Sequence, residues 1–161
     1  IRDIANNVGQ KNRTNISYDL GVMIDTSRAA IAIDEISPLV QFIELDTDRL
    51  TESIWGYSRE DDRKHIPIYI ANKFILGDPL VTFDDKGVGP LMEICVDRAR
   101  QANPNIQIGV SGKHVNDVNT MDFFHRLGVN YFSVDVSHLL EAKLALAQAS
   151  ITASKSIETA N

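Results

Sequence analysis

Hydrophobic residues fall along this chain in short blocks separated by polar turns, and the blocks alternate between two periodicities. The first, Leu20-Gly21-Val22-Met23-Ile24, is continuous and ends in Asp25. A short run apolar on both faces predicts a strand in a parallel sheet, where crossover helices cover both faces. Ala29, Ala30, Ile33 and Ile36 then recur at helical spacing. Thr26 or Ser27 offers a side-chain cap, and Pro38 stops the helix. Val40 to Leu45 reads as the second strand, and Leu50 to Trp55 as a short helix closed near Gly56. The mixed charges of residues 59–65 read as a solvated helix start, and Ile66 to Leu76 is apolar with Pro67 inside it. Gly77-Asp78-Pro79 and Asp84-Asp85-Lys86-Gly87 are turn signals. A helix carrying Leu91, Ile94, Cys95, Arg98, Ala99 and Ala102 ends at Asn103-Pro104-Asn105, before a third strand, Ile106 to Val110. Asn119 to Leu127 is the next helix, with Gly128 placed to cap its C-terminus. Tyr131 to Val134 is the fourth strand, and Leu139 to Thr152 an Ala- and Leu-rich helix. Residues 1–18 are a polar lead-in in which Ile1, Ile4 and Val8 allow a short helix, and residues 153–161 are a polar tail expected to fray.

Residues 19–152 thus read as an α/β fold of four parallel βα units with right-handed crossovers. Such units build either an open doubly wound sheet or part of an eightfold barrel. No Gly-x-Gly-x-x-Gly follows the first strand and no phosphate-binding P-loop occurs, so dinucleotide and P-loop chemistry have no support. Both architectures bind ligands at the C-terminal strand ends. Those ends are Asp25-Thr26-Ser27-Arg28, Asp46-Thr47-Asp48-Arg49, Ser111-Gly112-Lys113-His114 and Val134-Asp135-Val136-Ser137-His138. Four units leave two strand edges and one barrel interior uncovered. Association is therefore expected, either with another copy or with the remainder of a larger polypeptide. Ile1 in place of an initiator Met is compatible with the latter.

Composition narrows the function class. The chain has 161 residues, 43% hydrophobic and 24% charged, with a net charge of −6. That balance, without a basic stripe, argues against nucleic acid or an anionic membrane as partner. No apolar run reaches membrane-spanning length and no signal peptide precedes the first strand. Cys95 is the single cysteine, which excludes an intrachain disulfide and fits the cytoplasm or another reducing compartment. Cys95 lies on a core-facing helix position and reads as packing.

The strand ends and their surroundings carry a resemblance. Gly21-Val22-Met23-Ile24-Asp25-Thr26-Ser27-Arg28-Ala29-Ala30 is similar to "G-x-M-I-E-x-P-R-A-A". Trp55 to Asp61 is similar to "F-G-x-S-R-D-D", and Asp78-Pro79 with Gly87-Val88-Gly89 to "H-D-P…G-V-G". Phe123 to Tyr131 and Ala142 to Ala149 continue the match. Together these motifs resemble the pyruvate phosphate dikinase family over about Leu20 to Ile151. The resemblance implies the second half of a phosphoenolpyruvate-binding (β/α)₈ barrel, the TIM barrel. It further implies phosphoryl transfer between a phosphohistidine on another domain and pyruvate. That chemistry needs a divalent metal, Mg²⁺, against the enolate and phosphoryl charge, and an acid/base group at the methylene carbon.

By the same resemblance, the first strand end supplies a metal-binding Glu and the second "G-T-N-D" with a second metal carboxylate. The third carries "C-G-E-H", and the fourth "C-S-P-x-R" with the proton-donating Cys. Here the Glu is Asp25, one methylene shorter. Arg49 stands at the second carboxylate, Lys113 reverses a charge, and Val134 replaces the Cys. Two unit charges about 4 Å apart interact by roughly 4 kcal/mol at an effective dielectric near 20, so exchanging Asp for Arg turns attraction for a dication into repulsion of that order. Mg²⁺ is implied by the family, and weak or absent binding is expected from these residues. No catalytic residue is assigned. Asp25 is the remaining metal candidate, and Thr47, Asp48, Arg49, Lys113 and His114 are candidates for binding a small anion such as phosphoenolpyruvate or pyruvate. Bland alternatives stay open: His114 as a satisfied structural histidine, His125 as merely exposed, Arg28, Arg49 and Lys113 as scattered ion-pair partners, and Asp135 as a cap of the last helix. The expected function is a dikinase-like binding barrel, impaired in catalysis and acting as a binding or assembly module. The alternative is a piece of an active phosphoenolpyruvate-utilising phosphotransferase whose other domains lie outside this chain.

Overall fold

The structure is a computed structural model that describes residues 1–56, 58 and 62–158. Four parallel strands form one sheet in the order β1-β2-β3-β4: β1 Gly21–Ile24, β2 Phe42–Asp46, β3 Gln107–Ser111 and β4 Tyr131–Phe132. Helices fill every crossover: α2 Ser27–Ile31, α3 Ile33–Ile36, α4 Thr47–Trp55, α5 Asp62–Ala71, α6 Val88–Ala102 and α7 Val118–Leu127, while α1 Arg2–Asn12 precedes β1 and α8 Leu139–Glu158 follows β4. This is the expected run of βα units, half of a (β/α)₈ barrel.

Register explains the two faces. Ile24, Leu45, Val110 and Phe132 lie side by side across all four strands. The first three are 0% exposed, and with Ile43 and Ile108 they pack into a core shared with Ala30, Ile33, Met92, Cys95, Val96, Met121 and Phe124 of the helices. Alternate residues must then point the other way. Met23, Glu44, Gly109 and Tyr131 form that second row. Met23 is 53% exposed, so β1 is covered on one face only, against the expectation of burial on both. The bare face is partly surfaced by its own aromatics. The Phe42 ring lies where a Cβ on Gly21 would sit, and the Tyr131 ring where one on Gly109 would sit. Glycine lets each ring lie flat across the neighbouring strand. Tyr131 is pushed up from its ordinary pKa by burial, then by the charge of Glu44, whose Oε2 accepts from its hydroxyl at 3.4 Å.

Elsewhere the structure refines the sequence reading. The first crossover is two helices, not one, divided at Ala32. Arg98 Nη1 donates to the Ile31 carbonyl at 2.8 Å, and Glu35 N turns to Ala32 O at 3.2 Å, a tighter turn. Thr26 is the cap of α2, and Gly56 and Gly128, with φ of 70° and 72°, follow α4 and α7. β4 is shorter than expected, although Ser133 N still reaches Val110 O at 2.9 Å. Asp135 does not cap the last helix. A 3₁₀ turn, Val136–His138, intervenes, and the Asp135 side chain makes no capping hydrogen bond. α8 runs on to Glu158, past the Thr152 end expected from the sequence, and no Gly or Pro interrupts it. The N-terminal helix does form, with Ile1 and Ile4 exposed, and Arg2 Nη2 donates to Leu39 O at 2.7 Å. The charged start at 59–61 lies outside the described residues.

The long segment after β2 is pinned by its turns. Asp84 Oδ1 accepts from Gly87 N at 3.0 Å and Lys86 N at 3.2 Å, while Oδ2 accepts from Trp55 Nε1 at 3.0 Å. Phe83 packs its ring against Phe123, Phe124 and His114. Among the described residues no helix is long and apolar enough to cross a membrane.

Cys95 is 0% exposed on α6, and burial pushes its thiol up to about 12. An unfolded thiol titrates near 8.5. Between those values the unfolded chain has lost a proton that the folded chain keeps, so stability falls as pH rises, by up to about 1.4 kcal/mol per pH unit. Urea unfolding from pH 8 to 10 should show a steeper alkaline loss for the wild type than for Cys95→Ala. The native thiol should also resist a disulfide reagent until the chain unfolds.

Candidate functional site at the strand ends

The sheet register brings the strand ends to one rim. Asp46 pairs with Ser111, and Asp25 follows Ile24, which pairs with Leu45. Two of the rim oxygens serve helix starts. Thr26 Oγ1 accepts from Ala29 N at 3.2 Å, and Asp46 Oδ1 accepts from Arg49 N at 3.1 Å. A cap of this kind contributes about 1 kcal/mol and satisfies a donor the helix cannot. It also fixes the backbone of Arg49 at the first turn of α4.

The predicted site residues separate into two groups. Arg49 belongs with Asp25. Both line an open depression of about 580 Å³ with Thr26, Glu52, Ser53, Gly56 and Ser58. Arg49 Nη1 donates to Glu52 Oε2 at 2.8 Å, one turn along α4. The hydrogen bond and charge of Glu52 raise the guanidinium above its already high pKa. Ser53 Oγ accepts from Ser27 N at 2.9 Å and ties α4 to the start of α2. Sequence reasoning did not single out Glu52. Its position three residues after Arg49 on a helix was the available signal.

Thr47, Asp48, Lys113 and His114 form the second group. Thr47 is 0% exposed and its hydroxyl donates to Ser111 O at 3.0 Å, closing α4 onto the end of β3. His114 is 1% exposed. Its Nε2 donates to Pro79 O at 3.1 Å, and its Nδ1 lies 3.0 Å from Thr47 Oγ1 and 3.6 Å from Asp48 Oδ1. Both carbonyls can only accept. Thr47 Oγ1 thus sits between Ser111 O and the His114 ring, with the Asp48 carboxylate beside both. Asp48 Oδ1 also accepts from Lys113 N at 3.0 Å. Gly112 has φ of 104°, and a Cβ there would meet Thr47 Oγ1 at 2.3 Å. This group is a brace: three loops meet on one buried histidine. Phe83 and Pro79 complete it, although sequence reasoning took Pro79 only as a turn. His125 is half-buried on α7, its Nε2 3.4 Å from Ser150 Oγ.

Asp25 shares its depression with the Arg49 guanidinium and the Glu52 carboxylate, Asp46 is engaged as a helix cap, and no cluster of three or more His, Cys, Asp or Glu ligands occurs among the described residues. Val134 is half-buried against the core.

A family model for the PEP-binding domain of PEP-utilising enzymes matches residues 1–151. The chain belongs to this family. Among known proteins it is similar to pyruvate, phosphate dikinase 2 of Oryza sativa subsp. japonica, 39% identical over 148 residues. It is 38% identical to pyruvate, phosphate dikinase 2 of Zea mays over 148 residues, and each match covers 92% of this chain. The pyruvate, phosphate dikinase of Rickettsia felis is 34% identical over 151 residues, 94% of the chain. The chain spans 17% of the length of each of these relatives. Within the matched residues, Thr47, Gly112 and His114 are the positions that build the brace.

Removing the Thr47 hydroxyl would leave Ser111 O and the His114 ring without it in a dry site. Thr47→Val is expected to cost about 1–3 kcal/mol, and Thr47→Ser much less, in urea denaturation monitored by circular dichroism. Equal losses for the two variants would show that the hydroxyl does not hold the rim.

Proposed function

We propose that this chain is a dikinase-like phosphoenolpyruvate/pyruvate-binding barrel segment that has lost turnover and acts as a binding or assembly module. The observation that carries the reading is Arg49. By the motif resemblance it stands at the position of the family's second metal carboxylate, and it shares a depression with Asp25. Val134, at the family's acid/base position, has no proton to give. The site this leaves suits a small carboxylate or phosphate, held by the Arg49 guanidinium in the depression it shares with Asp25, with Thr47, Asp48 and His114 bracing the start of the helix that presents it. Guanidinium takes such anions through paired hydrogen bonds and stays charged at all working pH values.

A second reading keeps activity: the chain is part of a phosphotransferase forming phosphoenolpyruvate from pyruvate, with its remaining machinery elsewhere. Its supporting observation is that Asp25 and Glu52 line one depression, so two carboxylates are present although the family's pair is broken. The two readings predict opposite metal dependence. Calorimetry with phosphoenolpyruvate, pyruvate and oxalate, each with Mg²⁺ and with a chelator, separates them. The expected outcome is binding without metal that weakens with salt. Arg49→Ala should weaken it by about tenfold or more, the worth of a charge-assisted pair. Mg²⁺-dependent binding lost in Asp25→Ala would instead support the active enzyme.

The assembly role rests on uncovered surface. β1 and β4 are sheet edges, and Val136, Leu140, Leu144 and Ile151 are 90%, 81%, 60% and 57% exposed along one end of the sheet. Spacings of four and seven residues put the α8 members on one helix face. Sedimentation is expected to show a mass above that of one chain, rising with concentration. A strictly monomeric, well-folded species at high concentration would count against assembly with another copy.

A further inference from the structure

We propose that Glu52 is a built-in competitor for the anion site, occupying the Arg49 guanidinium until a small dianion displaces it. This rests on the anion-binding reading above and names the residue that sets its affinity. The ion pair itself shows which partner moves. The Glu52 side chain is 15% exposed and the Arg49 side chain 64% exposed, so the carboxylate is anchored and the guanidinium reaches over to it. Asp46 fixes the Arg49 backbone through the helix cap, which leaves side-chain rotation as the route of exchange. Glu52, Arg49 and Asp25 all line the same depression.

With Arg49 folded onto Glu52, the depression presents the carboxylate of Asp25 and a guanidinium whose Nη1 is already donating. An incoming carboxylate or phosphate must take the guanidinium fork, and Glu52 is then left beside it as a like charge. The swap is a replacement of one oxyanion by another on the same donor. Exposed pairs of this spacing are weak, so the competition shifts the anion equilibrium by no more than about fivefold. That is enough to tune a weak site and too little to close it.

The test is calorimetry in the presence of a chelator, with inorganic phosphate and oxalate as probes. The proteins are the wild type, Glu52→Gln, Arg49→Ala and the double variant. Gln keeps an acceptor of the same length, and urea unfolding confirms that each variant folds. Glu52→Gln is expected to raise affinity by about two- to fivefold, and that gain should vanish in the Arg49→Ala background. The double-mutant cycle separates the competition from a general change of charge. An equal gain in both backgrounds, or no gain from Glu52→Gln, would overturn the competitor and leave the anion site standing. No binding by the wild type or by Glu52→Gln would overturn both.

Discussion

The row Ile24–Leu45–Val110–Phe132 is the constraint from which the rest follows. Side chains alternate along a strand, so burying this row against the helices leaves no freedom for the residues between. Met23, Glu44, Gly109 and Tyr131 must face the other way, and Asp25, Asp46 and Ser111, one residue beyond, must reach the rim. Slipping β2 by one residue would drive Glu44 and Asp46 into the apolar core and turn Ile43 and Leu45 outward. Fully burying side chains of that size is worth about 1.5–3 kcal/mol each. Register, and with it the makeup of the rim, is therefore set by greasy residues that never touch a ligand.

Much of this was legible because the signals were local and redundant. Four apolar runs, Pro38, Asn103-Pro104 and Gly128 fixed the alternation of strand and helix, and a parallel sheet follows from that alternation. What stayed hidden depended on contacts far apart in sequence. Ala29 to Ile36 has an unbroken helical period, yet the helix divides because Arg98, 67 residues on, takes the Ile31 carbonyl. Asp135 has the chemistry of a cap, but a 3₁₀ turn moves the helix start beyond its reach. The tail after Thr152 is polar, and polarity was read as fraying, although its residues have no reason to break a helix. Met23 reads as buried because its run is apolar on both faces, although four units were expected to leave the barrel interior uncovered, and it is on that open face that Met23 lies.

The rim shows the same division. The sequence named Arg49 and Lys113 as neighbouring cations, since both sit at strand ends. The fold turns Arg49 along α4 toward Glu52 and Asp25, while the backbone of Lys113 joins Asp48 on the β3 side. Helical spacing, not strand-end position, decides the partner of Arg49. From its neighbours in sequence His114 stood as an anion-binding candidate and, more readily, as a satisfied structural histidine. Its role becomes visible only when Pro79, 35 residues away, arrives at its Nε2.

The rim residues sort by what they touch. Thr47 closes α4 onto β3, Gly112 leaves room for the Thr47 hydroxyl, and His114 carries the Pro79 loop. Asp25 and Arg49 instead line the open depression. Replacing a buried member of the brace leaves carbonyls and a ring unsatisfied, a cost the whole domain feels. Replacing an exposed group at the rim, such as Arg49, costs the fold almost nothing, because exposed pairs like Arg49–Glu52 are weak. Substitutions at the exposed rim can therefore leave the brace and the buried row intact. Scaffold and chemistry are separable here because they are built from different atoms: carbonyls and buried hydroxyls below the rim, charged tips above it.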